Sequence, residues 1–424
     1  MITALIIIVF ILGYLAIAFE HPLKLNKAAS ALITGVLCWT IYILQNESAE
    51  AASEELLHHL GEISSILFFL LGAMTIVALI DTHDGFQIIT QKITTTNKQK
   101  LLLIVTALTF FLSALLDNLT TAIVMTTLCA KILKDREHKL WFAGMIVIAA
   151  NAGGAWSPLG DVTTTMLWIG GQITAINIMK QLILPSLFVC IIPALIVAFR
   201  FKGEEFAAIT ESTISDKEKR DGKIILFSGL GFLVFVPVFK TLTHLPPFMG
   251  ILLALGLMWI ITALIHKNKE AEIVRQFDVS KALQKIDTPS ILFFLGILLA
   301  VSALQSIGLL KTLAVFLTDT LKNDYLICIT LGLLSAVVDN VPLVAASQGM
   351  YDLSTYPTDH PFWEFLALTT GTGGSAIIIG SAAGVAVMGI EKIDFIWYLK
   401  KISLLALAGF AAGILVFLLQ QQLN

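Results

Sequence analysis

The chain has 424 residues, of which 57% are hydrophobic and only 13% are charged. A soluble domain carries about twice that share of charge, so the composition excludes an ordinary soluble domain. The net charge of −3, with no basic patch interleaved with aromatic residues, excludes a nucleic-acid partner. The four cysteines lie inside apolar stretches without CxxC spacing, which predicts packing roles rather than disulfides or metal ligands.

Long apolar segments recur along almost the whole chain and predict an all-α polytopic membrane protein that lies in the lipid bilayer. The first segment has no basic region before it and no small-residue cleavage site after it, so it is predicted to be a span rather than a signal peptide. The ten predicted spans are 2–19, 28–45, 61–80, 138–176, 181–200, 223–241, 247–266, 289–306, 361–390 and 395–419. Two further apolar stretches, 101–131 and 324–350, have an Asp-Asn pair near their centres.

One short phrase occurs twice. The sequence SALLDN at 113–118 returns as SAVVDN at 335–340, 222 residues later. A glycine-rich phrase follows each copy and interrupts the fourth and ninth predicted spans: AGGAWSPLGD at 152–161 and TGGSAIIIGS at 372–381, which are 220 residues apart. Two halves with the same polar dipeptide and the same glycine-broken segment are typical of an internally duplicated transporter.

The positions of Lys and Arg decide whether 101–131 and 324–350 cross the membrane or return as hairpins. If both are re-entrant hairpins and the N-terminus is outside, 23 of the 27 basic residues face the cytoplasm. A single crossing would instead place each Asp at mid-bilayer inside a continuous helix. We therefore predict hairpins that enter from opposite sides, both termini outside, and an inverted-topology repeat.

The predicted repeat gives each half five spans, one re-entrant hairpin and one broken helix. The first half, 1–200, consists of a scaffold with an interfacial arm (1–97) and the hairpin with the broken helix (98–200). A charged cytoplasmic linker, 201–222, leads to the second half, 223–424, which divides in the same way into 223–322 and 323–424. Amphipathic stretches at 86–93 and 309–317 precede the hairpins, and they are either interfacial arms that carry a moving hairpin or plain surface loops.

Polar side chains cluster at the predicted hairpin tips and helix breaks. Non-helical backbone at membrane depth survives only where it is buried or lines a cavity, and there its carbonyl groups become available as ligands. Carboxylate, amide, hydroxyl and carbonyl oxygens are hard ligands that suit Na⁺ or Li⁺. The predicted ion- and proton-coupling residues are Asp117, Asn118, Asp161, Asp339 and Asn340. The predicted supporting ligands are Asn151, Ser157, Thr121, Thr163, Thr164, Thr372, Ser375 and Ser381.

Two interpretations stay open for each aspartate. An Asp at the start of a returning half-helix caps backbone N–H groups, which needs no ion. A charged side chain at a helix centre in the bilayer costs at least ~2.5–3.5 kcal/mol, which favours ion coupling. We predict that Asp117, Asn118 and Asp161 bind Na⁺ between the first hairpin tip and the break in the fourth span. Because Ser381 stands where the first half has Asp161, proton exchange at this pair of positions is assigned to Asp161.

Other polar residues are given local roles. Ser113 and Ser335 are predicted to bond the carbonyl group four residues earlier in their own helices. His83, between Asp81 and Asp84, is predicted to lie in a solvated turn rather than to sense pH.

The phrases SALLDN, ANAGGAWSPLGDVTTTMLW and DNVPLVAAS, in this order, resemble those of the NhaD-type sodium/proton antiporters. These belong to the ion transporter superfamily, together with arsenite permeases and divalent anion/sodium symporters. The resemblance covers nearly the whole chain and implies a secondary antiporter, not an enzyme, that exchanges cytoplasmic Na⁺ or Li⁺ for external H⁺ without a cofactor. It also implies a homodimer in the bacterial inner membrane, whose transport domain moves like an elevator against scaffold helices. The hairpin tips match the Ser/Asn-type tip motifs of the superfamily but contain Asp.

Two other classes are weighed against the antiporter. An anion carrier for dicarboxylate or arsenite would place its substrate among aspartates, and no spare Lys or Arg is expected inside the membrane to compensate. A channel would not need a duplicated, moving site. No GxxxxGK[ST] phrase occurs, so an ATP-driven pump is not expected on this chain.

Overall fold

The computed structural model describes residues 2–45, 48–90, 95–205, 216–267, 269 and 277–423, and every regular element within them is helical. The helices of the first half are α1 (Ile2–Ala18), α2 (Glu20–Leu23), α3 (Lys27–Gln45), α4 (Ala49–Thr82), α5 (Gly85–Thr90), α6 (Lys98–Leu116), α7 (Asn118–Ile132), α8 (Arg136–Ala155), α9 (Val162–Ile169) and α10 (Ala175–Arg200). Helices α6 and α7 form the first hairpin, and α8 and α9 are the two parts of a broken helix.

The second half repeats this order. Its helices are α11 (Asp216–Thr243), α12 (Pro247–His266), α13 (Val279–Leu283), α14 (Thr288–Ser306), α15 (Leu309–Leu321), α16 (Asp324–Leu334), α17 (Asn340–Met350), α18 (Pro361–Gly373), α19 (Ala382–Glu391), α20 (Phe395–Lys401) and α21 (Ser403–Leu423). Helices α16 and α17 form the second hairpin. Two short 3₁₀ turns, Gly374–Ala376 and Ile378–Gly380, separate α18 from α19.

Among the described residues, eight helices are long and apolar enough to cross a membrane. They are α3, α4, α6, α10, α11, α12, α14 and α21. A chain with this many such helices is a multi-pass membrane protein, as its hydropathy predicts.

The predicted spans coincide with helices, but several of their ends were wrong. Helix α4 begins at Ala49 rather than at 61, because the Ser48 side chain caps it and the Ala- and Glu-rich segment after Ser48 favours helix. Helix α10 begins at Ala175 rather than at 181, and the predicted fourth span closes early, at Ile169. Helix α11 starts inside the predicted linker, of which residues 206–215 lie outside the described part of the chain.

Both predicted amphipathic stretches contain a helix. The first is α5, and residues 91–94 at its end lie outside the described residues. The second lies in α15, which buries Leu310 and Ala314 and leaves Val315 and Phe316 exposed. An exposed apolar face of this kind fits a helix that lies at a membrane interface.

The long helices pack in pairs that exchange equivalent elements of the two halves. Helix α3 packs against α14, and the corresponding pair, α12 and α4, packs on the other side. The α3–α14 crossing is close on both sides: a Cβ added at Gly35 would lie 2.5 Å from the Gly296 carbonyl oxygen, and one added at Gly296 would lie 2.4 Å from the backbone of Ala31. Small residues permit such close crossings between membrane helices.

Each hairpin packs tightly against the broken helix of its own half. A Cβ added at Gly153 would lie 2.2 Å from the Phe110 carbonyl oxygen of α6, and one at Gly373 would lie 2.0 Å from the Gly332 carbonyl oxygen of α16. These contacts join residues that are 220 and 222 positions apart in the two halves. Only glycine permits backbone approach this close.

The two serines of the repeated phrase strengthen the same contacts. The Ser113 hydroxyl donates to the Ala150 carbonyl of α8 at 2.6 Å, and the Ser335 hydroxyl donates to the Thr370 carbonyl of α18 at 3.1 Å. The prediction that they bond within their own helices was wrong for Ser113. Ser335 makes a local bond as well, to the carbonyl three residues earlier. Each serine therefore ties its hairpin to the broken helix beside it.

Candidate cation site

Four interruptions of helical backbone surround one buried region. Two are the hairpin tips, at Asp117 and at the turn that ends at Asp339. The other two are the breaks between α8 and α9 and between α18 and α19. Helix α19 packs on α7 and α9 packs on α17, so each broken helix also contacts the hairpin of the other half. The interruptions thus bring side chains from both halves together.

Asp161 lies at the centre of this region and is only 2% exposed. As the residue that caps α9, it accepts bonds at Oδ1 from the Thr163 backbone N–H at 2.9 Å and from the Thr163 hydroxyl at 2.7 Å. Its other oxygen, Oδ2, accepts from Asn118 Nδ2 and lies 3.5 Å from Asn340 Nδ2. The Asn residues of both hairpin tips therefore converge on one carboxylate.

Asn151 of α8 extends the network to the second half. Its side chain is fully buried. Its Oδ1 accepts from Asn118 Nδ2 at 3.1 Å, and its Nδ2 donates to the hydroxyls of Ser375 and Ser381 at 2.9 Å each. One continuous set of hydrogen bonds thus links the first hairpin, both broken helices and, through Asp161, the second hairpin.

This arrangement differs from the two separate ligand clusters expected from the two halves. Asp161 and Ser381 have the same extended backbone, with φ/ψ of −148°/143° and −144°/152°, and each caps the second part of its broken helix. Both are directed into the same network rather than into separate sites. The interruptions of the two halves face each other, which sequence spacing alone does not reveal.

Asp117 has a different surrounding. Its φ/ψ of 78°/156° lies in a region that is essentially restricted to glycine and costs about 1–3 kcal/mol for other residues. Its carboxylate caps α7, accepting from the Thr120 backbone N–H and from the Thr120 hydroxyl, both at 2.8 Å. These bonds fit the capping interpretation, while strained backbone of this kind clusters at functional sites.

Asp339 also caps its returning helix, accepting from the Val341 N–H at 3.2 Å. Its other carboxylate oxygen lies 3.8 Å from Lys27 Nζ, at the start of α3. The expectation that no basic residue compensates the aspartates was therefore wrong at this tip. Lys27 was assigned to a loop by sequence, but its ammonium group reaches the second hairpin tip and also lies over the Phe293 ring at 4.5 Å.

The remaining predicted ligands divide into two groups. The Thr121 hydroxyl is completely buried and, among the described residues, has no hydrogen-bond partner, so it is available to a ligand. Ser157, Thr164 and Thr372 instead bond nearby backbone: the Leu159 N–H, the Ala155 carbonyl and the Leu368 carbonyl, respectively. These three stabilise the helix breaks and lie outside the network around Asp161.

A groove of about 310 Å³ leads toward the first hairpin tip. It runs between α4 and α7 and is lined by Asp81 and Asp84 at one end and by Thr120 at the other. Lys131 and Lys285 lie on its walls. Because Thr120 bonds the Asp117 carboxylate, the groove ends one residue away from the tip. Sequence reasoning had not connected Asp81 and Asp84 with this tip.

The site can offer one ionisable group surrounded by neutral polar atoms. The ion pairs among the described residues do not include Asp161. A buried carboxylate without a basic partner requires either a bound cation or a proton. Asparagine amides can donate through NH₂ or accept through oxygen, so that rotation of Asn118 by 180° turns a donor to Asp161 into a ligand for a cation.

Comparisons with known proteins agree with this chemistry. The family described as citrate transporter matches residues 6–371. The chain is 48% identical over 419 residues to "Sodium/proton antiporter 1" of Arabidopsis thaliana, covering 98% of this chain and 72% of the relative. It is 32% identical to "Na(+)/H(+) antiporter NhaD" of Vibrio cholerae, covering 97% of this chain and 91% of the relative.

Two solved structures share the fold. The Alcanivorax borkumensis YdaH transporter superposes with a TM-score of 0.53 at 13% identity, covering 88% of this chain and 89% of that one. Neisseria gonorrhoeae MtrF gives 0.51 at 11% identity, covering 98% and 94%. Identity at this level speaks for the fold alone, and the family follows from the closer relatives. The chain belongs to the NhaD-type sodium/proton antiporters of the ion transporter superfamily, within the family described as citrate transporter.

Proposed function

We propose that this protein exchanges cytoplasmic Na⁺ or Li⁺ for external H⁺ at Asp161. The observation that carries the proposal is the convergence of Asn118 and Asn340, one from each hairpin tip, on a single buried carboxylate. Relatives named as sodium/proton antiporters over nearly the whole chain support the same activity. Asn118, Asn151 and Thr121 supply further oxygen atoms of the type that Na⁺ prefers.

The exchange follows from competition at one group. Asp161 binds either a cation or a proton, and both neutralise its charge. An ionised carboxylate with neither is too costly to carry through the membrane, so the transport step is confined to the loaded forms. Transport in one direction with Na⁺ and return with H⁺ then gives antiport without a cofactor.

We further propose that the two halves form an inverted repeat with an elevator-type motion. The exchanged helix pairs and the matching glycine and serine contacts of the two hairpins support the repeat. Residues 98–200 and 323–424 would form the moving unit and residues 1–97 and 223–322 the scaffold, joined by the linker 201–222. Both termini are placed outside, in a homodimer in the bacterial inner membrane.

A second candidate function is transport of an anion such as citrate, which the description of the matching family favours. The site argues against it. Its central group is a carboxylate that an anion would have to approach at low dielectric. The cation nearest to the hairpin tips, Lys27, is already paired with Asp339.

Purified protein in liposomes with an internal pH indicator separates these functions. We expect an imposed gradient of NaCl or LiCl, but not choline chloride, to move protons against the direction of the cation. Radiolabelled citrate should not accumulate. Citrate uptake without Na⁺-dependent proton movement would replace the antiporter by the anion carrier.

A further inference from the structure

Two histidines meet where α4 and α12 end, away from the site around Asp161. His83 follows α4 and His266 ends α12, and they are only 5% and 3% exposed. Their Nε2 atoms lie 2.9 Å apart, and Phe277 stacks on the His266 ring with centroids 4.9 Å apart. The sequence prediction of a solvated turn for His83 was therefore wrong, because α12 and Phe277 cover it.

The contacts define which nitrogen carries each proton. His83 Nδ1 lies 2.7 Å from the Leu79 carbonyl, which only accepts, so Nδ1 carries the hydrogen. In a neutral ring, His83 Nε2 is then the acceptor and His266 Nε2 is the donor. The free lone pair of the pair is on His266 Nδ1, a buried atom that has no partner among the described residues.

A proton from solution therefore binds at His266 Nδ1. The imidazolium that results has a buried N–H without an acceptor, which is costly. The charged groups that face the pair are Lys269, Asp221 and Asp84. Lys269 repels the new charge, and Asp221 is already bonded to Lys269 at 2.8 Å. The charged ring gains an acceptor only by turning toward water, which breaks the bond between α4 and α12.

This contact lies beside the groove that leads to the first hairpin tip. Asp81 and Asp84, on either side of His83, both line the groove. The start of α11 also packs here, since a Cβ added at Gly222 would lie 2.6 Å from the His83 carbonyl oxygen. Opening the pair would therefore displace the segment that shapes the groove. Burial lowers the pKa of His83, which keeps it neutral when the cytoplasm is near neutral pH.

We propose that His83 and His266 form a second proton-binding site, separate from the transport site, through which cytoplasmic protons slow transport. The proposal rests on the antiport function and on the cytoplasmic placement of this end of α4. The neutral pair holds α4 and α12 together, and transport is then at its full rate. As the cytoplasmic pH falls through the titration of the pair, the pair opens and the maximal rate falls.

Everted vesicles expose this face to the medium and allow a direct test. At saturating Na⁺, competition between H⁺ and Na⁺ at Asp161 is overcome, so any remaining pH dependence belongs to another group. We expect the wild-type rate to fall about tenfold for each pH unit below the apparent pKa of the pair, as for one controlling proton. His266→Gln, whose amide can donate to His83 Nε2 and does not titrate, should match the wild type at alkaline pH and lose this acid decrease.

The control is His58→Gln, an exposed histidine at the opposite end of α4, which should keep the wild-type profile. His266→Asn carries the same test if the glutamine variant inserts poorly. Coincident profiles of wild type and both His266 variants at saturating Na⁺ would overturn the proposal.

Hydrogen exchange of purified protein separates this proposal from the antiport function. In the segment 79–87, exchange corrected for the intrinsic pH dependence should rise at acid pH in the wild type but not in His266→Gln. Absence of that rise would overturn the histidine site even if Na⁺/H⁺ exchange were intact. Its presence in a protein that moves no protons with Na⁺ would retain the histidine site and reject the antiport function.

Discussion

The replacement of Asp161 by Asn tests the centre of the proposed site. The side chain keeps its shape, and its oxygen can still accept from the Thr163 N–H and hydroxyl. Its NH₂ group, however, then faces Asn118 Nδ2, so that two donors meet where a donor and a carboxylate oxygen met before. An amide also does not titrate near neutral pH, so the variant has no group that can trade Na⁺ for H⁺.

The size of the effect follows from these contacts. A hydrogen bond to a charged group contributes about 1.5–3 kcal/mol. Losing one such contact, together with the ligand charge, corresponds to a weakening of apparent Na⁺ affinity by roughly 10- to 100-fold, at about 1.4 kcal/mol per factor of ten. Exchange should be lost altogether, because higher Na⁺ restores binding but not the titrating group.

The assay is collapse of a pH gradient by added Na⁺ in everted vesicles from a host without its own Na⁺/H⁺ antiporters. Ser381→Ala is the matched control, because Ser381 occupies the equivalent backbone position and bonds the same network. It loses a helix cap worth about 0.5–2 kcal/mol, so it should at most raise the Na⁺ requirement and keep exchange. An Asp161→Asn protein inserted in normal amount that exchanges at the wild-type rate would refute the assignment and move the coupling carboxylate to Asp117 or Asp339.

Three further predictions follow from the geometry of the tips and the packing. Asn118→Ala should raise the Na⁺ concentration for half-maximal exchange more than Asn340→Ala does, because Asn118 bonds both Asp161 and Asn151 whereas Asn340 reaches only Asp161, at 3.5 Å. Equal effects would contradict the unequal contacts. Gly373→Ala should lower the melting temperature of the purified protein, since its Cβ would lie 2.0 Å from a carbonyl oxygen of α16, whereas Gly256→Ala, with no atom within 4 Å, should not. In intact cells, a cysteine near Lys134 should react only with membrane-permeant reagents and one near Asp352 also with impermeant ones, and the converse pattern would remove the proposed topology.

Much of the fold was predictable because hydropathy and helix breakers act locally. Apolar length places the spans, and the repeated Asp-Asn and glycine phrases mark where helices stop and restart. The breaks at 156–161 and 374–381 lie in the glycine phrases, since the backbone there turns out of the helix and packs at close range. Local patterns did less well at helix ends, where a cap such as Ser48 or an Ala- and Glu-rich segment extends a helix past its apolar part.

The sequence by itself determined which residue types are available for the site: two Asp-Asn tips, the unequal pair Asp161 and Ser381, and hydroxyls beside them. Only the tertiary structure decided how they combine. Asn340 and Asp161 are 179 residues apart, and their approach depends on how α17 packs against α9. The same holds for the pairing of Lys27 with Asp339 and for the burial of His83 under α12. Charge and periodicity identify a polar residue in an apolar segment, but its partner is set by the packing of distant helices.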